Sequence, residues 1–318
     1  MATAIEPDGA NVPGAREERM AVLAVIGAVL MWGFSAVAIK SVSASALVTS
    51  FYRLWFAIPV LWLTVLVAPT MRRRLDRDWL RGCILGGAAF AIHQILFISA
   101  VRMTTVANVT IIGSLQPVLI LLLAAPLFGE RTSLLSLVMS LVALGGTGLV
   151  VWGSVGEGQA GGLGDVLATG NLFAFTAYLL FSKQARASVG ATEYVVGMTT
   201  VAGFLIGTAS LVTGQDLASP SARDLLIIGA LAILPGTLGH VLTNWAHGHT
   251  TALRVSMILL AAPVVATASA AVLLDEPVTL LQSFGFLLVL CSIAVVVSGA
   301  EGSTKEELAE AAAQTDAP

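Results

Sequence analysis

Ten times along this chain, a run of about 20 residues passes with almost no charge, and that recurrence limits the fold more than any motif. A helix needs about 20 consecutive, mostly apolar residues to cross the hydrocarbon of a bilayer. Such runs fall at 20–39, 46–68, 82–101, 104–128, 132–153, 166–182, 194–214, 225–246, 255–274 and 279–299. Only 11% of the residues are charged, against 57% hydrophobic, whereas a soluble domain carries about 25% charge. A water-facing surface cannot be covered from that supply, and a disordered chain would be poor in aliphatics. A soluble enzyme and a disordered chain are both excluded. The net charge of −3 gives no reason to expect nucleic acid. Cys83 and Cys291 sit in apolar runs and suggest neither a disulfide framework nor a metal cluster. The expected class is an all-α integral membrane protein with ten transmembrane helices and no cofactor.

Residues 1–19 carry Glu6, Asp8, Glu17 and Glu18 ahead of the first apolar run, which is unlike a cleavable signal. They read as an N-terminal tail, and 301–318 as a C-terminal one. Lysine and arginine placement sets the orientation. With the N-terminus inside, twelve of these cations fall in the cytoplasm, Arg72, Arg73, Arg74, Arg77 and Arg81 among them. Only Lys40, Arg102 and Arg223 fall outside, and Arg53 lies within a span. Both termini are therefore expected in the cytoplasm, and the protein in the cytoplasmic membrane as a multi-pass chain.

A shift of 146 residues aligns 104–130 with 250–276 without a gap, and ten of the 27 positions are identical. Thr104-Thr105 meets Thr250-Thr251, Pro117-Val118 meets Pro263-Val264, and Glu130 meets Glu276. Shared hydrophobicity does not readily align a proline, paired threonines and a glutamate. The sequence thus predicts two repeats, at 20–155 and 164–300, each of five spans. An odd number of spans inverts the second copy in the bilayer, and such inverted repeats in transporters hold solute at their interface.

The residues Leu30-Met31-Trp32-Gly33, Phe51-Tyr52-Arg53, Ala100-x3-Thr104-Thr105-x11-Pro117 and Phe128-Gly129-Glu130 resemble the EamA branch of the drug/metabolite transporter superfamily. Ala246, Thr250-Thr251, Pro263 and Asp275-Glu276 repeat the pattern. The resemblance covers 20–299. It implies a ten-helix bundle, a central cavity lined mainly by spans 1, 3, 4, 6, 8 and 9, and in most members export of small metabolites. The sixth span departs from the pattern in lacking a second Trp-Gly.

Several residues in the spans suit a solute site. Phe90, His93, Gln94 and Phe97 share one face of the third span, and Thr237, His240, Asn244 and His247 one stripe of the eighth. The 146-residue offset pairs Gln94 with His240. Each stripe is either interhelical glue, at about 0.6 kcal/mol per hydrogen bond, or a cavity wall, and its recurrence in both halves favours the wall. Trp32 and Ser35 lie three apart in the first span. Asn108 and Gln116 lie in the fourth, and Asn171, Phe175 and Tyr178 share a face of the sixth. Arg53 either snorkels to the outer interface or meets a solute carboxylate.

No carboxylate lies in the middle of a span. Asp78, Glu130, Asp165, Glu193, Asp224, Asp275 and Glu276 all flank helix ends, which disfavours lipophilic cations and carboxylate-bound Na⁺ as cargo or coupling ions. Glu130 and Glu276 read as helix-end caps or as gating residues. His240, His247 and His249 do not form a metal site, because His247 and His249 cannot share a helical face. Any proton coupling would have to use His93 or His240. Gly82-x3-Gly86 and Gly203-x3-Gly207 read as close helix contacts.

These features point to a secondary transporter, not an enzyme, that exports a small neutral or zwitterionic metabolite such as an amino acid by alternating access. Its partners are that metabolite and the lipid bilayer; the oligomeric state is left open. The competing readings are a nucleoside, drug or sugar-phosphate carrier, or a membrane protein that does not transport. Gly33-Phe34-Ser35 would represent an intramembrane hydrolase among the latter, and a scaffold or receptor is the other case.

Overall fold

The computed structural model describes residues 15–67, 77–104, 109, 112–129, 133–152, 162–273 and 278–296. Within them the chain is helical from end to end. The helices are α1 (Ala15–Lys40), α2 (Ala46–Val67), α3 (Arg77–Met103), α4 (Gln116–Phe128), α5 (Leu134–Trp152), α6 (Leu163–Ala185) and α7 (Ala191–Val212). There follow α8 (Ala222–His247), α9 (Ala252–Leu259), α10 (Ala262–Leu273) and α11 (Leu280–Val296). Six of these, α1–α3 and α6–α8, are long and apolar enough to cross a membrane.

Apolar side chains point outwards as well as inwards, as a bilayer solvent permits. On α1, Leu23, Ile26, Leu30 and Phe34 form an exposed stripe, while Ala21, Val25, Ala28 and Val29 are buried on the other side. The buried faces of α2, α3, α6 and α7 meet in the main core, with Leu54, Cys83, Phe90, Tyr178, Tyr194 and Met198 fully enclosed.

Two helical runs that the sequence shows as single spans are broken. Ser114-Leu115 and Leu260-Ala261 are turns, and α4 and α10 start immediately after them. Pro117 and Pro263 each stand at the second residue of the new helix. Proline has no N–H to give to the carbonyl four residues back and crowds that carbonyl. The helix therefore stops and restarts at the same place in each half. α8 is irregular in a different way: residues Leu234–Gly239 form a π-helical turn containing Pro235.

The 146-residue offset also holds for the helix bounds. Moving α2 by that amount gives 192–213, against Ala191–Val212 observed, and moving Leu134 gives 280, where α11 begins. Packing follows the same exchange. α3 lies on α6 and α1 on α8; α3 lies on α7 and α2 on α8; α2 and α7 face one another.

Polar contacts tie the two ends of the bundle. At one end Ser43 Oγ donates to Asp224 at 2.5 Å, Thr104 Oγ1 to Asp165 at 2.8 Å, and Arg102 to the carbonyls of Val42 and Ala44. At the other, the N-terminal end, Trp79 Nε1 donates to Glu193 O at 2.8 Å, Lys183 donates to Thr250 O, and Arg254 pairs with Glu18. Asn108, Glu130, Asp275, Glu276, Arg72–Arg74, residues 1–14 of the N-terminal tail and the whole C-terminal tail lie outside the described residues, while 15–19 begin α1.

Glycines allow the closest approaches. A Cβ on Gly86 would overlap the Tyr194 ring, and one on Gly203 would stand 2.6 Å from Ile58. At Gly87 the obstruction is backbone, with Met198 O at 2.7 Å and Val201 Cβ at the same distance. Gly87→Ala must push α3 off α7, at a cost of about 1–3 kcal/mol for overpacking. We expect a lower thermal midpoint for Gly87→Ala in detergent. Gly145→Ala, which meets nothing within 4 Å, should be neutral or slightly stabilising, so equal behaviour of the two would refute this packing.

Candidate solute-binding cavity

The helix breaks and the polar stripes converge on one cavity of about 180 Å³. It is smaller than the roughly 300–1,000 Å³ usual for drug-sized ligands. α1 supplies Trp32, Gly33 and Ser35, α3 supplies His93, Gln94, Phe97 and Val101, and α6 supplies Asn171 and Phe175. Arg53 enters from α2 and His240 from α8. The two breaks complete the wall with Gly113, Ser114 and Gln116 on one side and Leu259, Leu260, Ala262, Pro263 and Ala266 on the other. Most of these positions are nearer the end where α1 and α3 finish and α6 begins.

Of the residues expected from the sequence, Trp32, Ser35, Arg53, His93, Gln94, Phe97, Asn171 and His240 all reach the cavity. Phe90, Tyr178 and Asn244 do not line it. They are fully buried behind it, with Phe90 edge-on to His240 at a centroid distance of 4.6 Å. The missing wall pieces are the aliphatic residues Leu259, Leu260 and Ala266, which look like any other span residue in sequence. Only the recurrence of proline at 117 and 263 marked their neighbourhood.

Neighbours hold several of the polar groups. The His93 Nδ1 to Asn171 Oδ1 distance is 2.7 Å; with Nδ1 donating, Nε2 of a neutral imidazole is left as an acceptor. Phe175 and Phe97 stack on the His93 ring at 4.6 and 5.8 Å. Trp32 Nε1 donates to Pro235 O at 2.9 Å, so a cavity-lining indole occupies a carbonyl of the π-turn. Gly239 makes that possible, since a Cβ there would stand 2.7 Å from Nε1.

Behind His240 runs a chain of hydrogen bonds. Ser182 Oγ donates to Asn244 Oδ1, and Asn244 Nδ2 donates to Tyr178 Oη at 2.7 Å. Tyr178 Oη is then free to donate to His240 Nδ1, 3.1 Å away. That arrangement puts the His240 ring proton on Nε2.

Arg53 decides the electrostatics. It is 5% exposed and lines the cavity, so it does not snorkel to the interface. Its Nη1 makes a long hydrogen bond to Gln94 Oε1 at 3.5 Å, and among the described residues Nε has no hydrogen-bond partner. Among the described residues no carboxylate lines this cavity, and no group of three metal-ligating side chains occurs. The site is a small aromatic and amide-lined chamber with one guanidinium.

The model of the EamA-like transporter family matches the chain twice, over residues 19–152 and 162–298. The chain belongs to the EamA-like transporter family. It is thereby a member of the drug/metabolite transporter superfamily and a multi-pass membrane protein of a transporter lineage. An uncharacterized transporter, sll1164, of Synechocystis sp. (strain ATCC 27184 / PCC 6803 / Kazusa) is 28% identical over 239 residues. That alignment takes in 69% of this chain and 66% of the relative's length. A protein of known crystal structure superposes with a TM-score of 0.72 at 21% identity, over 87% of this chain and 96% of that one. At that identity the likeness establishes the shared fold alone.

The guanidinium's environment gives a measurable expectation. A hydrogen bond to a charged group contributes about 1.5–3 kcal/mol, which is roughly 10- to 150-fold in affinity. For a solute with a carboxylate, Arg53→Gln should weaken binding by about that factor and should leave the affinity for an uncharged analogue nearly unchanged. Equal loss for both would mean that Arg53 only holds the wall in place.

Proposed function

We propose that this EamA-family member is a secondary transporter of the cytoplasmic membrane that exports a small neutral or zwitterionic metabolite, an amino acid or a close relative. The observation that carries the reading is the cavity's charge inventory. Arg53 is buried in a wall that has no described carboxylate, beside Trp32, Phe97 and Phe175 and the polar ends of His93, Gln94 and Asn171. A lipophilic cation finds nothing there to neutralise it. A phosphate ester with about two negative charges finds a single guanidinium. A zwitterion can place its carboxylate on Arg53 and its apolar part against the aromatic rings.

Alternating access between two inverted five-helix halves is the mechanism we assign. The double family match, the common offset of the helix bounds and the exchange-symmetric packing all support it. Ten membrane crossings follow if α4, α5, α11 and the α9–α10 pair cross with the six long helices. Both termini then lie in the cytoplasm, where the cation excess falls.

Transport is tested in proteoliposomes with labelled leucine. Unlabelled amino acids should compete with it, while sugar phosphates and quaternary ammonium ions should not; the opposite ranking would overturn the charge argument. Orientation is tested in intact cells with single cysteines. Gln215→Cys should react with an impermeant thiol reagent added outside and Arg81→Cys should not, and the reverse would invert the topology. If uptake follows a pH gradient, His93→Ala or His240→Ala should abolish that dependence. Retention of it in the double variant would make both histidines structural.

A further inference from the structure

The two helix breaks carry the same proline at the same place, yet they show the cavity different chemistry. The 146-residue offset pairs Gly113 with Leu259, Ser114 with Leu260 and Gln116 with Ala262, and all six line the cavity. The first break presents a glycine, a hydroxyl and an amide. The second presents two leucines and a methyl group. Arg53 on α2 has Thr199 of α7 as its counterpart, and of that pair Arg53 lines the cavity. Asn171 and His240 bring polar groups from the second half, but both have side-chain partners inside the fold, His93 and Tyr178 respectively. At the breaks and at the arginine position, the donors stand in the first half and the alkyl groups in the second.

α4 begins at Gln116 and runs for 13 residues, so the positive end of its dipole borders the cavity. A helix N-terminus attracts anions through its N–H groups, but here Pro117, the second residue, supplies none. The Gln116 side chain stands at the same terminus with an amide donor of its own. It is 4% exposed, and its Nε2 has no hydrogen-bond partner among the described residues. With nothing bonded to Nε2, a half-turn of the amide exchanges Nε2 and Oε1 freely. Arg53 Nε is the other unpartnered donor in this wall. A buried donor without an acceptor costs desolvation energy that the fold does not recover. Two such donors, from α2 and α4, line one cavity that has no described carboxylate, and an anionic group entering it satisfies both.

We infer that the N-terminus of α4 is the carboxylate subsite of the cavity, with Gln116 Nε2 and Arg53 donating to the carboxylate oxygens, and that the α9–α10 break receives the solute's side chain. The inference rests on the amino-acid reading given above and narrows it to α-amino acids with an aliphatic side chain, held in one orientation. That side chain meets Leu259, Leu260, Ala262 and Ala266. A side-chain carboxylate, as in glutamate, would meet only alkyl groups there and is rejected.

The test titrates the thermal midpoint of the purified full chain in detergent with leucine, valine, glutamate and 4-methylpentanoate, since a bound ligand raises it by mass action. Leucine and valine should stabilise the protein and glutamate should not. Gln116→Leu should weaken leucine and valine alike, by about tenfold or more. Gln116→Glu has the shape of the parent and gives Arg53 an internal carboxylate, so it should abolish the binding of both; it decides the matter if Gln116→Leu does not fold. Ala266→Leu, or Ala266→Val if the larger residue is not tolerated, should weaken leucine about fivefold more than valine. Parental affinity for leucine in both Gln116 variants would overturn the carboxylate subsite and leave the zwitterion reading intact. Equal losses of leucine and valine in the Ala266 variant would overturn the orientation. Stabilisation by 4-methylpentanoate but not by leucine, lost in Gln116→Glu, would sink the zwitterion reading and keep the subsite. Stabilisation by neither would overturn both.

Discussion

A bilayer offers no partner to a peptide group, so every break in a helix has to be answered from within the protein or from a water-filled cavity. Three breaks among the described residues obey this rule in the same place. The turns at Ser114-Leu115 and Leu260-Ala261 border the central cavity, and the π-turn at Leu234–Gly239 gives its Pro235 carbonyl to the cavity-lining Trp32. The prolines that cause the first two breaks cost the fold two intrahelical hydrogen bonds. In return the wall of the cavity is interrupted by a turn at two places. Discontinuous helices meeting at the repeat interface are also where transporters hold their cargo.

Charge is distributed by the same constraint. Asp224, Arg102, Lys183, Arg186 and the Glu18–Arg254 pair all lie near the two ends of the bundle, where the first four bond hydroxyls and carbonyls, and the Ser43–Asp224 and Glu18–Arg254 contacts fasten one half to the other. Between those ends, the cavity keeps one cation, Arg53. A charge in a hydrocarbon setting is costly, and nothing in the packing of α2 needs a guanidinium there. Its retention is understandable if it is used on something that enters the cavity.

The element plan could be read in the sequence because lipid-facing and core-facing positions are both apolar: run length marks a span without any need to know which face is inside. The same uniformity hid the rest. Leu259 and Leu260 line the cavity while Leu226 faces outwards at 77% exposure, and no property of leucine separates the two cases. Polar residues were more legible, since a histidine or amide within a span has few places to go. Periodicity placed His93 and Gln94 on the cavity wall but could not distinguish His240, which reaches the cavity, from Asn244, one turn on, which is bonded to Tyr178 behind it. That difference is set by which helix packs opposite, and only the tertiary fold specifies it. The π-turn in α8 was not legible either, because Leu234-Pro235-Gly236 reads equally well as a kink.

Duplication explains the frame and divergence explains the chemistry. Exchange of the halves pairs Trp32 with Tyr178 and Gln94 with His240, so an aromatic and a polar group are supplied from each side with different hydrogen-bonding roles. The indole donates to a carbonyl, and the phenol links an amide to an imidazole. Arg53 is the sharpest divergence, because its counterpart on α7 is the buried Thr199. Had the duplicated position kept arginine in both copies, α2 and α7, which pack on one another, would have carried two guanidinium groups towards the repeat interface. Such a pair would repel unless a doubly charged anion sat between them. With threonine on one side, a single carboxylate is enough to balance Arg53, which is the charge the proposed zwitterionic solute brings. Under the proposed function, the net charge of the cargo follows from how far the two copies have diverged at one position in the second span of each half.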